Sequence, residues 1–192
     1  MPDHAQYTIR RKVFKLFGAS FHIYHETGNL VGYCKQKAFK LREDIRLFSD
    51  ESMTTPLLTL AARSIIDFGV TFDVTLPTGE SLGSLRRKGL KSSFIRDEWL
   101  LFDEHGTEAA IIREKNAFMA FMRRLNEIIA VFSPQTYEII SNDNRNIATF
   151  QQQFNPFVYR LVVTIHEQDD QLDDLVILGA GCIIAAIEGR QA

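Results

Sequence analysis

The sequence has little cysteine and no hydrophobic segment at its start. Cys34 and Cys182 are its two cysteines, each within an apolar stretch. We expect two buried free thiols in a reducing compartment, with a disulfide between them as the alternative. The opening residues, MPDHAQYTIRRKVF, lack the apolar core of a secretory signal peptide. We therefore expect a cytoplasmic protein that associates with membranes peripherally, if at all.

The sequence also lacks a strong excess of either charge, and it lacks low-complexity tracts. Its 22 Lys and Arg residues and 24 Asp and Glu residues give a formal net charge of −2. No global positive field attracts such a chain to nucleic acid, so a nucleic-acid ligand is not expected. No linker-like segment divides the 192 residues, which fit one domain spanning 1–192.

A repeated pattern is the clearest feature that the sequence does contain. Segments 21–37, 72–88 and 99–115 each begin with an aromatic residue, carry Gly at the eighth position and end with Lys. Alternating flanks around a turn-type centre predict three β-hairpins of one design. Six more runs have strand character: 7–16, 44–49, 56–63, 135–141, 145–152 and 157–165. About twelve short strands indicate a mainly β fold with a large antiparallel sheet, sandwich or barrel.

Two helices interrupt the strands. Segment 116–132 has apolar residues at the spacing of an amphipathic helix, which we expect to cover one end or face of the sheet. Segment 172–188 is apolar on every side from residue 175 to residue 187. Those 13 residues span roughly 20 Å as a helix, against about 30 Å of bilayer hydrocarbon. We therefore predict a buried central helix, made slender by Gly179 and Gly181, inside a closed barrel of about twelve strands.

Patterns associated with catalysis or metal binding occur in the wrong context. The motif GESLG (79–83) places Ser81 at the start of a strand after a hairpin turn, whereas a nucleophile elbow needs strand, turn and helix. The stretch LGAGCIIA (178–185) lacks the strand and turn of a dinucleotide fingerprint. His22 and His25 fall on opposite faces of one strand, which disfavours a metal site. We predict no catalytic residues, no cofactor and no enzymatic activity.

Basic residues are the most informative polar feature, since they follow each of the three hairpins. Because the hairpins share one register, their basic ends are expected near one rim of the barrel, where they would attract anionic lipid headgroups. The alternative is an ordinary set of solvated strand ends. The candidate headgroup-binding residues are Lys35, Lys37, Lys40, Arg42, Arg86, Arg87, Lys88, Lys91, Arg113 and Lys115.

Two stretches carry a family resemblance: FGASFHIYHETGNLVGYCKQKAFKLREDIRLFSDE (17–51) and DDLVILGAGCIIAAIEGR (173–190). With about twelve strands and a hydrophobic C-terminal helix, they resemble the tubby C-terminal-like superfamily, and within it the LURP-one-related and phospholipid scramblase branch. The resemblance implies phosphoinositide binding through basic residues of the barrel. It also implies a calcium site in the acidic run 166–174, although helix capping and solubility explain that run without calcium. The calcium candidates are Asp169, Asp170, Asp173 and Asp174.

The sequence therefore predicts a non-enzymatic binding module that docks peripherally on anionic phospholipid. The alternative is a protein-interaction or scaffold domain with no lipid role. Lipid scrambling would require the central helix to leave the barrel and expose a large apolar core, which is energetically prohibitive for an intact fold.

Overall fold

The computed structural model describes residues 5–12, 19–36, 44–66, 69–88, 98–115, 134–153, 155 and 157–188. These residues form twelve β-strands followed by one α-helix. The strands are β1 (Ala5–Lys12), β2 (Ala19–His25), β3 (Leu30–Gln36), β4 (Ile45–Phe48), β5 (Pro56–Ile66), β6 (Gly69–Thr75), β7 (Ser81–Arg87), β8 (Trp99–Phe102), β9 (Glu108–Glu114), β10 (Thr136–Ser141), β11 (Asn146–Gln153) and β12 (Val158–Ile165). The helix is α1 (Asp174–Glu188).

The twelve strands form a closed barrel in which each strand pairs antiparallel with its neighbour in sequence. The barrel closes where β1 pairs with β12, from Ala5 opposite Ile165 to Lys12 opposite Val158. Since the chain runs alternately up and down, every odd-numbered strand ends at the same mouth of the barrel. The predicted fold class, a closed antiparallel barrel of about twelve strands with a C-terminal helix, is confirmed.

The three repeated hairpins turn in the same way. Gly28, Gly79 and Gly106 have φ of 87°, 89° and 79°, the left-handed region that glycine adopts without strain. Each glycine N–H donates to the carbonyl three residues earlier, and that earlier residue's N–H donates to the carbonyl four residues ahead. This pattern is a type I turn followed by a residue in the left-handed conformation, a standard three-residue hairpin loop.

A fourth hairpin, between β10 and β11, has the same turn without a glycine. Asn144 has φ of 66°, its N–H donates to Ser141, and the Ser141 N–H donates to the Arg145 carbonyl. Asparagine tolerates the left-handed conformation better than other non-glycine residues. The glycine pattern in the sequence did not reveal this fourth copy.

Helix α1 fills the barrel, as its length and composition predict. Residues 176–186 are all buried. A Cβ added to Gly179 would lie 2.9 Å from Leu60 Cδ2 on β5, so the barrel wall closely approaches the helix backbone there. The helix begins at Asp174, two residues later than predicted, because Asp173 caps it: Asp173 Oδ1 accepts from the Leu175 N–H at 2.7 Å. Across the described ranges, we find no helix with the length and apolarity needed to cross a bilayer.

Some predictions concern segments that the structure does not describe. The amphipathic helix at 116–132 lies outside the described residues, as do residues 13–16 of the first predicted strand. The strand expected at 56–63 is longer than predicted, since β5 continues to Ile66 and pairs with β6 from Thr59 to Ile66. Cys34 and Cys182 are both free and buried, which confirms the expectation of two buried thiols and excludes the disulfide alternative.

Candidate anion-binding surface

Charge is segregated along the barrel axis. One mouth is formed by the hairpin turns and by the segment that leads from β12 into α1; we call it the acidic mouth. The structure describes all of these connections, and Arg145 is the single Lys or Arg residue in them. The carboxylates in the same connections are Glu26, Asp50, Glu51, Glu80, Asp103, Glu104, Asp143, Glu167, Asp169, Asp170 and Asp173.

Arg145 organises the carboxylates beside the start of α1. Its Nη1 lies 3.0 Å from Glu167 Oε1, and its Nη2 lies 2.8 Å from Asp169 Oδ2. It also pairs with Asp143, whose pKa is lowered mainly by the Ser141 hydroxyl and then by Arg145. The Asp169 side chain is only 5% exposed, and Arg145 is its ion-pair partner.

The four calcium candidates lie in different surroundings. Asp169 binds Arg145, and Asp173 caps α1. Asp174 is half-buried, and burial followed by the charge of Asp173 raises its pKa, while Asp170 is exposed. Within the described ranges, no three His, Cys, Asp or Glu side chains are grouped so that they would hold a metal ion. Helix capping accounts for Asp173 and the Arg145 network for Asp169, and calcium binding stays an untested prediction.

The opposite mouth, which we call the basic mouth, is where the second arms of the three repeated hairpins end. At the end of β7, Arg86 is exposed and its guanidinium lies 4.8 Å from the centre of the Phe102 ring. Arg87 is half-buried, with its guanidinium 6.0 Å from the centre of the Trp99 ring. Lys88 Nζ lies 3.0 Å from Glu98 Oε2. Aromatic and acidic neighbours thus hold all three cations in place.

The end of β9 contributes a second set of cations, one strand away. Lys115 Nζ lies 3.0 Å from Glu138 Oε1, and Arg113 is paired in register with the same glutamate. Only β8 separates β7 from β9 in the barrel order, whereas β3 lies on the opposite side of the barrel from β9. The ends of β3, β7 and β9 therefore share one mouth, but β3 is not adjacent to the other two.

Several candidate residues have no described side chain. Lys35 lies in β3, where it pairs in register with Ser20. The other candidates in this group lie outside the described residues: Lys37, Lys40, Arg42 and Lys91.

The barrel also places basic residues together that the sequence analysis did not single out. Arg10 of β1 pairs in register with Arg160 of β12, on the outer wall near the basic mouth. Arg11, the next residue, is buried on the inner face, with its guanidinium 5.8 Å from the centre of the Phe21 ring. No sequence signal links positions 10 and 160, since they meet only through barrel closure.

The residues in the catalytic and metal-binding patterns lie in the surroundings that the sequence predicted. Ser81 is exposed and begins β7 directly after the Gly79 turn, without a following helix. His22 Nε2 lies 2.7 Å from Glu51 Oε1, and His25 Nδ1 lies 3.0 Å from the Thr27 hydroxyl. Cys34 is buried in the core, away from solvent. These contacts are those of surface histidines and a core thiol.

Comparison with known proteins identifies the family. A family model described as LURP-one-related matches residues 5–184, which include all twelve strands and most of α1. The LURP-one-related family belongs to the tubby-like C-terminal superfamily, in agreement with the closed barrel around a C-terminal helix. A search of curated proteins found no match. The chain is therefore a member of the LURP-one-related family.

Proposed function

We propose that this protein is a non-enzymatic module that docks its basic mouth on a membrane surface rich in anionic phospholipid, at the cytoplasmic face. The observation that carries the proposal is the axial separation of charge. Cations end β7 and β9 at one mouth, while the connections at the other mouth are strongly acidic. An anionic surface attracts the first mouth and repels the second, so the barrel approaches it in one orientation.

The cations at β7 and β9 remain able to bind phosphate although two of them have acidic neighbours. Lys88 and Lys115 form ion pairs with side-chain exposures of 42% and 57% for the lysines. Exposed ion pairs contribute only about 0–1 kcal/mol, so a lipid phosphate can replace the carboxylate at little cost. Arg86 keeps its charge exposed while its contact with Phe102 limits its motion.

Co-sedimentation with vesicles tests the proposal. The test variant is Arg86→Gln/Lys88→Gln/Lys115→Gln, which removes three positive charges from the basic mouth. The matched control is Asn29→Asp/Gln168→Glu/Gln171→Glu, which lowers the net charge equally at exposed positions of the acidic mouth. Each cation near an anionic surface contributes about 1 kcal/mol, and existing ion pairs reduce that figure.

We expect wild type and the control to bind phosphatidylserine vesicles but not phosphatidylcholine vesicles, and binding to weaken as salt increases. The test variant should bind anionic vesicles at least tenfold more weakly. Equal loss in the test and control variants would show that net charge alone matters, which contradicts docking through the basic mouth. Absence of vesicle binding by the wild type would favour the protein-interaction alternative.

A further inference from the structure

Two arginines face each other on the outer wall of the barrel, at the seam where its first and last strands meet. Arg10 of β1 and Arg160 of β12 are register partners. On the next strands outward, Arg160 is opposite Gln153 of β11, and Arg10 is opposite His22 of β2. Directly opposed residues on antiparallel strands have Cβ atoms about 5 Å apart, and like charges at such positions repel. This arrangement costs stability unless a partner of opposite charge offsets it.

No such partner exists among the described residues: neither guanidinium has a carboxylate within ion-pair distance. Arg63 differs in this respect, since it binds Asp73 through two nitrogens. The carboxylate of Glu51 is held by His22. The Nε of Arg160 is buried and has no hydrogen-bond acceptor in the described part of the chain.

The aromatic side chains of the same wall position Arg10. Its guanidinium lies 4.6 Å from the centre of the Tyr24 ring, and His22 stacks on that ring at 6.2 Å between centroids. A guanidinium held against an aromatic face keeps its charge and presents its remaining N–H groups as a planar fork. The site is thus partly ordered before any ligand arrives.

We propose that Arg10 and Arg160 together bind one phosphate group of a phosphorylated ligand. Guanidinium N–H groups match the oxygens of a phosphate dianion and form short, charge-assisted hydrogen bonds with it. Such a ligand neutralises the repulsion between the two arginines. The phosphate belongs either to a lipid headgroup or to a soluble phosphorylated molecule.

This site lies near the basic mouth but does not include the cations at the ends of β7 and β9 that carry the docking proposal. The seam between β1 and β12 lies on the opposite side of the barrel from β7. The inference therefore does not rest on the proposed function, and each is tested without the other.

Thermal unfolding with inorganic phosphate as the probe tests the inference, with chloride at equal ionic strength as the reference. The variants are Arg10→Gln and Arg160→Gln, singly and together. Arg63→Gln is the control, because it removes one exposed arginine of the same outer wall that already has an acidic partner. Phosphate should raise the Tm of wild type and of the control, and each test variant should need at least tenfold more phosphate for the same rise. In chloride, each single test variant should melt at a higher temperature than wild type, since it relieves the repulsion.

A phosphate response that is absent in the wild type, or unchanged in the double variant, would overturn the inference. Vesicles containing phosphatidylinositol 4-phosphate then identify the source of the phosphate. Weaker vesicle binding by each single test variant than by Arg63→Gln, which removes the same charge, indicates a lipid headgroup. Equal vesicle binding with a lost response to inorganic phosphate indicates a soluble ligand.

Discussion

Single residues in the hairpin turns set the geometry of the barrel. At Gly106, φ is 79° and an added Cβ would meet nothing within 4 Å, so alanine there introduces backbone strain without a steric clash. We predict that Gly106→Ala lowers the free energy of unfolding by about 1–2 kcal/mol. Gly106→Asn should lose clearly less, because Asn144 adopts the same conformation in the fourth hairpin. Urea unfolding compares the two variants, and equal losses would contradict this explanation of the turn.

Because of the two buried thiols, we expect the free energy of unfolding to fall at alkaline pH. Burial raises the pKa of the Cys34 thiol to about 12, and burial followed by the charge of Cys34 raises the pKa of Cys182 as well. Between the ordinary thiol pKa near 9 and these raised values, the unfolded chain loses thiol protons that the folded protein keeps. Stability attributable to each thiol therefore falls as pH rises through this window, by about 1.4 kcal/mol per pH unit.

Urea unfolding at pH 8 and pH 10 measures this effect. Cys34→Ala should show a fall between the two pH values that is about 1.4 kcal/mol smaller than that of wild type, since one thiol no longer contributes. Its lower stability at pH 8, caused by lost packing, does not affect the comparison. An identical fall in variant and wild type would show that the Cys34 thiol ionises normally in the folded protein.

For single residues, the sequence predicted those whose role depends only on adjacent residues in the chain. Gly28, Gly79 and Gly106 were recognisable because a hairpin turn is fixed by a few adjacent residues. Arg10 and Arg160 were not, because they become neighbours only when the first and last strands pair, 150 positions apart. Register across a closing seam depends on the whole barrel, and no short window of sequence contains it.

Helix α1 shows how one element is fitted to its surroundings. A Cβ at Gly181 would lie 3.0 Å from both Ile9 Cδ1 and Val163 Cγ2, which belong to two adjacent strands. Valine is stiff at χ1, so its methyl group does not move aside easily. In an exposed helix, Gly→Ala stabilises by about 1 kcal/mol. Here we predict that Gly181→Ala destabilises by about 1–2 kcal/mol, because overpacking outweighs helix propensity.

A double-mutant cycle with Val163→Ala checks the cause. Removing the valine methyl groups gives the new Cβ room, so the double variant should be more stable than the sum of the two single effects predicts. Additive losses, or a Gly181→Ala variant more stable than wild type, would show that the barrel wall does not restrict the helix at this point.

Helices and strands with a strong hydrophobic period were predictable from the sequence, whereas their first and last residues were less predictable. Alternation marked the strands, and an all-apolar segment too short for a bilayer marked α1 as a core helix. The start of α1 was placed two residues early, because the sequence pattern did not show that Asp173 caps the helix. The extension of β5 to Ile66 depends on pairing with β6, which its own pattern does not encode.

For the whole molecule, the net charge of −2 is the sum of an uneven distribution of acidic and basic residues along the barrel axis. The repeated hairpin explains how this distribution arises. Each copy places its acidic turn at one mouth, and its second strand, which carries basic residues, ends at the other. The common register of the hairpins was the basis for predicting a shared basic end. The spacing around the mouth, with β3 opposite β9, required the strand order of the closed barrel.

The central claim is that the barrel docks through its basic mouth while α1 remains inside as its core. Hydrogen exchange measured by mass spectrometry, with and without phosphatidylserine vesicles, tests both parts in one experiment. Residues 86–88 and 113–115 should exchange more slowly when vesicles are added, and amides of residues 178–186 should stay equally protected in both conditions. Faster exchange in α1 with vesicles would show that the helix leaves the barrel. Unchanged exchange at both strand ends would contradict docking through the basic mouth.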